Sequence, residues 1–128
     1  MYQLKYKHGL LYADITLVHA NKKIDIADII IDTGASHSVI IPDFLNENDI
    51  GFDKGDELVV MSGIGGAEAS AIKKRIDAIS LGDITLRNIV IDFGVVDQKD
   101  KINGLIGLNF LKPAKVTIDL DEMTIYKK

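Results

Sequence analysis

No cysteine occurs among the 128 residues of the chain. That absence excludes disulfide frameworks, iron–sulfur clusters and thiolate zinc sites, and it fits a reducing compartment. A basic patch is also lacking. Lys73-Lys74-Arg75 is the one basic run and the formal net charge is −4, so nucleic acid is not an expected partner. Apolar runs are short: the stretch 10–18 carries Asp14 and is too brief to span a bilayer. No secretory leader is read at the N-terminus. A soluble, cytoplasmic protein with no membrane partner is the expectation. His8, His19 and His37 lack metal-ligand spacing, and no His-Glu-x-x-His occurs, so no metal or other cofactor is expected.

What is present is a pattern of strands. Apolar residues make up 47% of the chain and charged residues 27%, a balance suited to one domain, residues 1–128. Tyr2, Leu4 and Tyr6 alternate with Gln3, Lys5 and Lys7, as in a half-buried strand. Residues 10–18 and 24–31 flank Asn21-Lys22-Lys23 and predict a hairpin. The continuous Ile29-Ile30-Ile31 predicts a strand covered on both faces. A short strand at 38–41 precedes Pro42, which suits the first turn of a brief helix. Further strands are predicted at 57–61, 67–79 and 86–96, the last two joined by the turn Leu81-Gly82-Asp83-Ile84. Residues 104–111 read as an apolar strand entering a short helix that stops near Pro113. Residues 116–120 and 123–126 predict a terminal hairpin. Strands so regularly spaced, with at most two short helices, indicate an all-β barrel or sandwich.

The chemistry concentrates after the third strand. An acidic residue directly behind a buried strand is unfavourable unless it is hydrogen-bonded, and Asp32 follows Ile31. Thr33 adds a hydroxyl beside it, Gly34 permits close backbone approach, and Ala35 is small. The arrangement suits a carboxylate held rigidly on the floor of a cleft; an ordinary turn aspartate is the plain alternative. Chance would place Asp-Thr-Gly-Ala/Ser in a chain this long under about one time in a hundred. Downstream, Gly63-Ile64-Gly65-Gly66 taken alone reads as a hairpin turn. It is no phosphate loop: no Gly-Lys-Ser/Thr follows, and Glu68 occupies the place of a third glycine.

Asp32-Thr33-Gly34-Ala35-Ser36 resembles the active-site signature of aspartic proteases. In the same chain order, Met61-Ser62-Gly63-Ile64-Gly65-Gly66 resembles the glycine-rich flap tip of retroviral proteases. Gly104-Leu105-Ile106-Gly107-Leu108-Asn109-Phe110-Leu111 resembles the segment that closes the active-site loop and opens the C-terminal helix. The resemblance to single-lobe, retropepsin-like (clan AA) aspartic proteases spans almost the whole chain. It implies a closed acid-protease barrel with catalysis by Asp32, supported by Thr33 and Gly34. It implies substrate contacts from Ala35, Ser36, Met61, Gly63, Ile64, Gly65, Gly66 and Ile106. The glycines would let the flap open and close over bound peptide, and the apolar Met61, Ile64 and Ile106 imply apolar side chains flanking the scissile bond. Two departures stand out. Ser36 and Leu108 occupy positions where retroviral enzymes often carry an Asp–Arg pair. The C-terminal stretch 116–128 reads as a full hairpin, and in this it resembles cellular retropepsin-like proteins.

Hydrolysis by carboxylates needs one base to activate water and one acid to protonate the carbonyl oxygen. Two adjacent carboxylates sharing a proton supply both. The chain has a single Asp-Thr-Gly. Asp92-Phe93-Gly94 is the nearest second candidate, but Phe93 lacks the hydroxyl, and Asp92 is read as an ordinary strand-end aspartate. His37 is expected to point away from the site. The resemblance therefore implies an aspartic endopeptidase acting on a peptide or protein substrate, assembled as a homodimer with Asp32 facing Asp32 on a twofold axis. The alternative is a catalytically weak retropepsin-fold module for peptide binding or dimerisation. A β-barrel binder of small ligands would explain the strands but not the ordered motifs.

Overall fold

Alternating apolar residues write the first long hairpin. In a computed structural model describing residues 1–62, 68–95 and 102–128, β3 (Leu10–His19) and β4 (Lys22–Ile31) pair antiparallel. The turn falls on Ala20 and Asn21, at φ 52° and 64°, the two-residue geometry that matches strand twist. Lys22 is already paired with His19, so the turn lies slightly earlier than predicted. Ile24 and Ile26 face the core, and then the phase changes. Opposite Asp14 the register shifts, Asp28 takes a φ of 55°, and the inward positions become Ile29 and Ile31. A bulge of this kind moves every later side chain to the other face. It is held by the Asp28 N–H donating to Asp14 Oδ1 at 3.0 Å and by Lys5 Nζ, which bridges both carboxylates.

The remaining long strands close the barrel. β5 (Val39–Ile40), β7 (Glu68–Leu81), β8 (Ile84–Phe93) and β9 (Gly104–Ile106) join β3 and β4. The ring runs β3-β4-β9-β5-β8-β7 and returns from β7 to β3 through Thr16–Val18 against Ala78–Ser80. This is the closed six-stranded barrel that the resemblance implied. β2 (Lys5–Lys7) lies outside β3, and β6 (Glu57–Ser62) lies outside β7. α1 (Asp43–Glu47) begins behind Pro42, and α2 (Leu108–Leu111) behind Gly107. β10 (Val116–Asp119) and β11 (Thr124–Lys127) form the expected terminal hairpin. β1 (Tyr2–Gln3) adds to its free edge, making a separate three-stranded sheet.

The predicted single strand over residues 2–7 is thus divided. Tyr2 and Gln3 pair with β11, whereas Lys5 to Lys7 pair with β3. Leu4 sits between the two sheets, 3% exposed, with its N–H on the Met123 carbonyl at 2.8 Å. Alternation in the sequence is the same whichever partner each half takes.

The core is rich in isoleucine. Ile15, Ile26, Ile29, Ile40, Ile76 and Ile91 are essentially covered, with Phe93 and Phe110 among them. Each such side chain contributes about 1.5–3 kcal/mol through burial. One cation shares that burial. Lys74, 1% exposed, reaches Asp56 Oδ2 at 2.6 Å, Asp53 Oδ2 at 2.8 Å and the Gly51 carbonyl at 3.0 Å. Burial pulls its pKa down, but Asp53 and Asp56 together outweigh that and leave it raised. Lys74, and secondarily His19, hold the Asp53 carboxyl below its ordinary value. This knot fastens the loop before β6 to the barrel wall. No helix among the described residues is long and apolar enough to cross a membrane.

Candidate active site

Asp32 leaves the end of β4 on the face opposite Ile31. The bulge at Asp28 sets this: because the core positions of β4 have moved to residues 29 and 31, residue 32 turns away from the core. β4 runs parallel to β9, pairing Ile31 with Ile106. The Asp32 N–H continues that ladder to the Ile106 carbonyl at 2.9 Å. The Gly34 N–H donates to Asp32 Oδ1 at 2.9 Å, and the Ala35 N–H to the Asp32 carbonyl at 3.3 Å. The carboxylate is half-buried, while Thr33 and Gly34 are exposed. The Thr33 hydroxyl has no hydrogen bond to a described residue. Asp32, Thr33 and Gly34 therefore form one tight loop that presents a fixed carboxylate to solvent.

The loop rests on close backbone packing. A Cβ at Gly107 would lie 2.2 Å from the His37 carbonyl oxygen and 2.6 Å from that of Ala35, so only glycine fits. Leu108 then donates its N–H to the Ala35 carbonyl at 2.8 Å. Beneath lies Ser38, fully buried. Its hydroxyl accepts the Gly107 N–H at 3.0 Å and donates to Asn109 Oδ1 at 2.6 Å. The Asn109 amide continues to the Val90 carbonyl at 2.8 Å. A neutral chain thus ties the Asp32 loop to α2 and β8. Ser36 and Leu108, at the positions where the sequence lacks a charged pair, are both exposed. Sequence reasoning missed Ser38 and Asn109. The only signal was that Asn109 falls within one matching motif and Ser38 two residues beyond the other.

A groove of about 490 Å³ opens beside the loop, floored by Gly34, Ala35 and Ser36 and covered from β6 by Val59, Val60 and Met61. Ala35, Ser36 and Met61 thus line one groove. Ile106 does not: it is completely buried in the core. Side chains alternate along β9, so the wall position falls to Leu105,. Gly63, Ile64, Gly65 and Gly66 lie outside the described residues. The groove also holds three polar side chains that sequence reasoning left out, His37, Lys73 and Asp92. His37, expected to point away, turns into the groove with Nδ1 4.0 Å from Asp92 Oδ2. A turn over Thr33 and Gly34, closed by the Ala35 N–H on the Asp32 carbonyl, reverses the chain before β5.

Comparison with known proteins agrees with this geometry. A family profile described as aspartyl protease matches residues 18–110. The fold is similar to the crystal structure of a retropepsin-like aspartic protease from Rickettsia conorii, with a TM-score of 0.63 and 22% identity. That match covers 95% of this chain and 93% of the other. It is also similar to the retroviral protease-like domain of Ddi1 from Leishmania major, with a TM-score of 0.52 and 18% identity over 97% of this chain and 88% of that one. No curated protein matches the sequence.

Proposed function

The chain belongs to the aspartyl protease family, and from that premise we propose that it is an endopeptidase whose active site forms between two copies. Each copy supplies Asp32, Thr33 and Gly34. The observation that carries this reading is a lone Asp-Thr-Gly loop, its backbone anchored by the Asp32 N–H on the Ile106 carbonyl and its carboxylate oriented by the Gly34 N–H, at 2.9 Å each, beside a groove of about 490 Å³. One carboxylate is half of what the chemistry needs. The exposed Thr33 and Gly34 support contact with a second loop, and an isologous pair would bring two such loops together on its axis.

The reaction follows from that pairing. A water lies between one ionised and one protonated Asp32. The ionised carboxylate takes a proton from the water as its oxygen bonds to the scissile carbonyl carbon. The protonated one gives its proton to the carbonyl oxygen, producing a neutral tetrahedral diol. Cleavage of the C–N bond then sends one proton to the departing nitrogen and returns one to the carboxylates. The pair ends with the single shared proton it began with. Because that singly protonated state exists only between the two macroscopic pKa values of the dyad, the rate should be bell-shaped in pH.

A binding module on the same frame would have no use for an ionisable group so firmly positioned. The test is Asp32→Asn, which keeps the shape and removes both roles. Hydrolysis of a peptide library should fall at least about a hundredfold, with the melting temperature little changed. Retention of most activity would point to another catalytic group.

A further inference from the structure

The groove beside Asp32 carries charge that peptide hydrolysis does not use. Asp92 sits near the end of β8, its N–H donating to the Ser38 carbonyl at 3.0 Å. Its side chain is only 9% exposed. Oδ1 is entirely covered and has no hydrogen-bond partner. Oδ2 is 4.0 Å from His37 Nδ1, too far for a hydrogen bond,. Lys73 faces Asp92 across the β7–β8 ladder and lines the same groove, yet the two make no ion pair among the described residues. A carboxylate so covered and so poorly partnered is unfavourable until a donor reaches it.

The walls around it indicate the donor. Ala35, Val39, Val59, Val60, Met61 and Leu105 make the larger part of the lining apolar. An apolar trough with one carboxylate set into it fits a side chain with an aliphatic stem and a cationic tip. The soft terminal torsion of aspartate lets either oxygen turn to meet that tip. Lys73 opposes the arrangement by like charge, but its long stem can swing outward.

We infer that Asp92 is a specificity-determining residue, and that this groove takes a lysine or arginine side chain of the peptide substrate. The inference rests on the reading that peptides bind beside Asp32. It changes the substrate class implied by the apolar walls alone, because the anchor at that position is ionic. Sequence reasoning could not reach it: Asp92 and His37 are distant in the chain and meet only through the β5–β8 pairing.

The experiment uses binding, so that it does not depend on turnover. A reduced-amide peptide of norleucines is compared with variants carrying one lysine at each position in turn, by calorimetry on the full chain. At one position lysine should bind at least about tenfold tighter, as expected for a charge-assisted hydrogen bond. Asp92→Asn should erase that preference, so that lysine and norleucine bind this variant within about twofold of each other. Asp92→Leu should do the same and melt no lower than wild type, since it removes a covered, unpartnered charge. Lys73→Met should enlarge the preference. A wild type indifferent to lysine at every position, or a preference that survives Asp92→Asn, would overturn the inference. Asp92-dependent lysine binding without any cleavage of the matching unreduced peptides would sustain the subsite and sink the proposed hydrolysis. Cleavage without lysine preference would do the reverse. Failure of every peptide to bind would sink both.

Discussion

Ser38 is covered completely, yet it carries a hydroxyl, and a buried hydroxyl is tolerable only when its hydrogen bonds are made. Here it makes two, to the Gly107 N–H and to Asn109 Oδ1, and those bonds hold the floor on which Asp32 stands. Ser38→Ala leaves the buried Gly107 N–H and the half-buried Asn109 Oδ1 without this partner, which should cost about 1–3 kcal/mol of stability. Urea unfolding measures this directly. Ser36→Ala, at an exposed position of the same loop, should stay within about 0.5 kcal/mol. Equal effects at the two positions would mean that the Ser38 bonds do not support the loop. At this scale the sequence was legible where one residue type has one use. Asp32, Thr33 and Gly34 stood out because a carboxylate after three isoleucines needs a reason. Ser38, Asn109, His37 and Asp92 did not, because their partners are supplied by chain pairings that span as many as 71 residues. Ile106 was misplaced for a related reason. Only the observed phase of β9 decides that Leu105 lines the groove and Ile106 enters the core.

Elements were the most legible level, since a period of two survives in the sequence whatever the strand pairs with. The divided N-terminal strand marks the limit, because alternation carries no record of the partner. The bulge in β4 marks another: Ile29-Ile30-Ile31 has no visible phase, so the shift that turns Asp32 outward could not be read. A further element-scale device is the fastening of the β6 approach by Lys74. The raised Lys74 pKa contributes stability that is complete below its ordinary value of 10.5 and is lost as pH rises through the raised one. The lowered Asp53 pKa contributes stability that is present above 3.8 and is lost as pH falls through the lowered one. Stability should therefore hold across the neutral range and decline at both extremes. Lys74→Met leaves Asp56, 5% exposed, without its cation and should destabilise by about 3 kcal/mol at neutral pH. It should also abolish the alkaline decline due to Lys74. Thermal melts of both proteins across pH check this. An unchanged alkaline limb in the mutant would assign that decline to other groups.

For the whole molecule, the barrel is complete within one chain but the proposed chemistry is not. The ring of six strands closes by itself, and the terminal hairpin is capped by the chain's own β1. What the proposed chemistry takes from a second copy is the other carboxylate of the pair. Closure of the barrel was implied by the ordered motifs, whereas assembly depends on surfaces that one chain's strand pattern does not encode. Activity belongs either to one chain or to two. The direct measurement is the initial rate of peptide cleavage against protein concentration, alone and mixed with Asp32→Asn chains. Specific activity should fall on dilution once the solution is below the dimer dissociation constant. With equal amounts of both chains and random pairing, about one quarter of the dimers should keep two aspartates, so the mutant should poison the wild type beyond simple dilution. A specific activity that stays flat well below the concentration at which dimers dissociate, and that the mutant merely dilutes, would contradict the shared site.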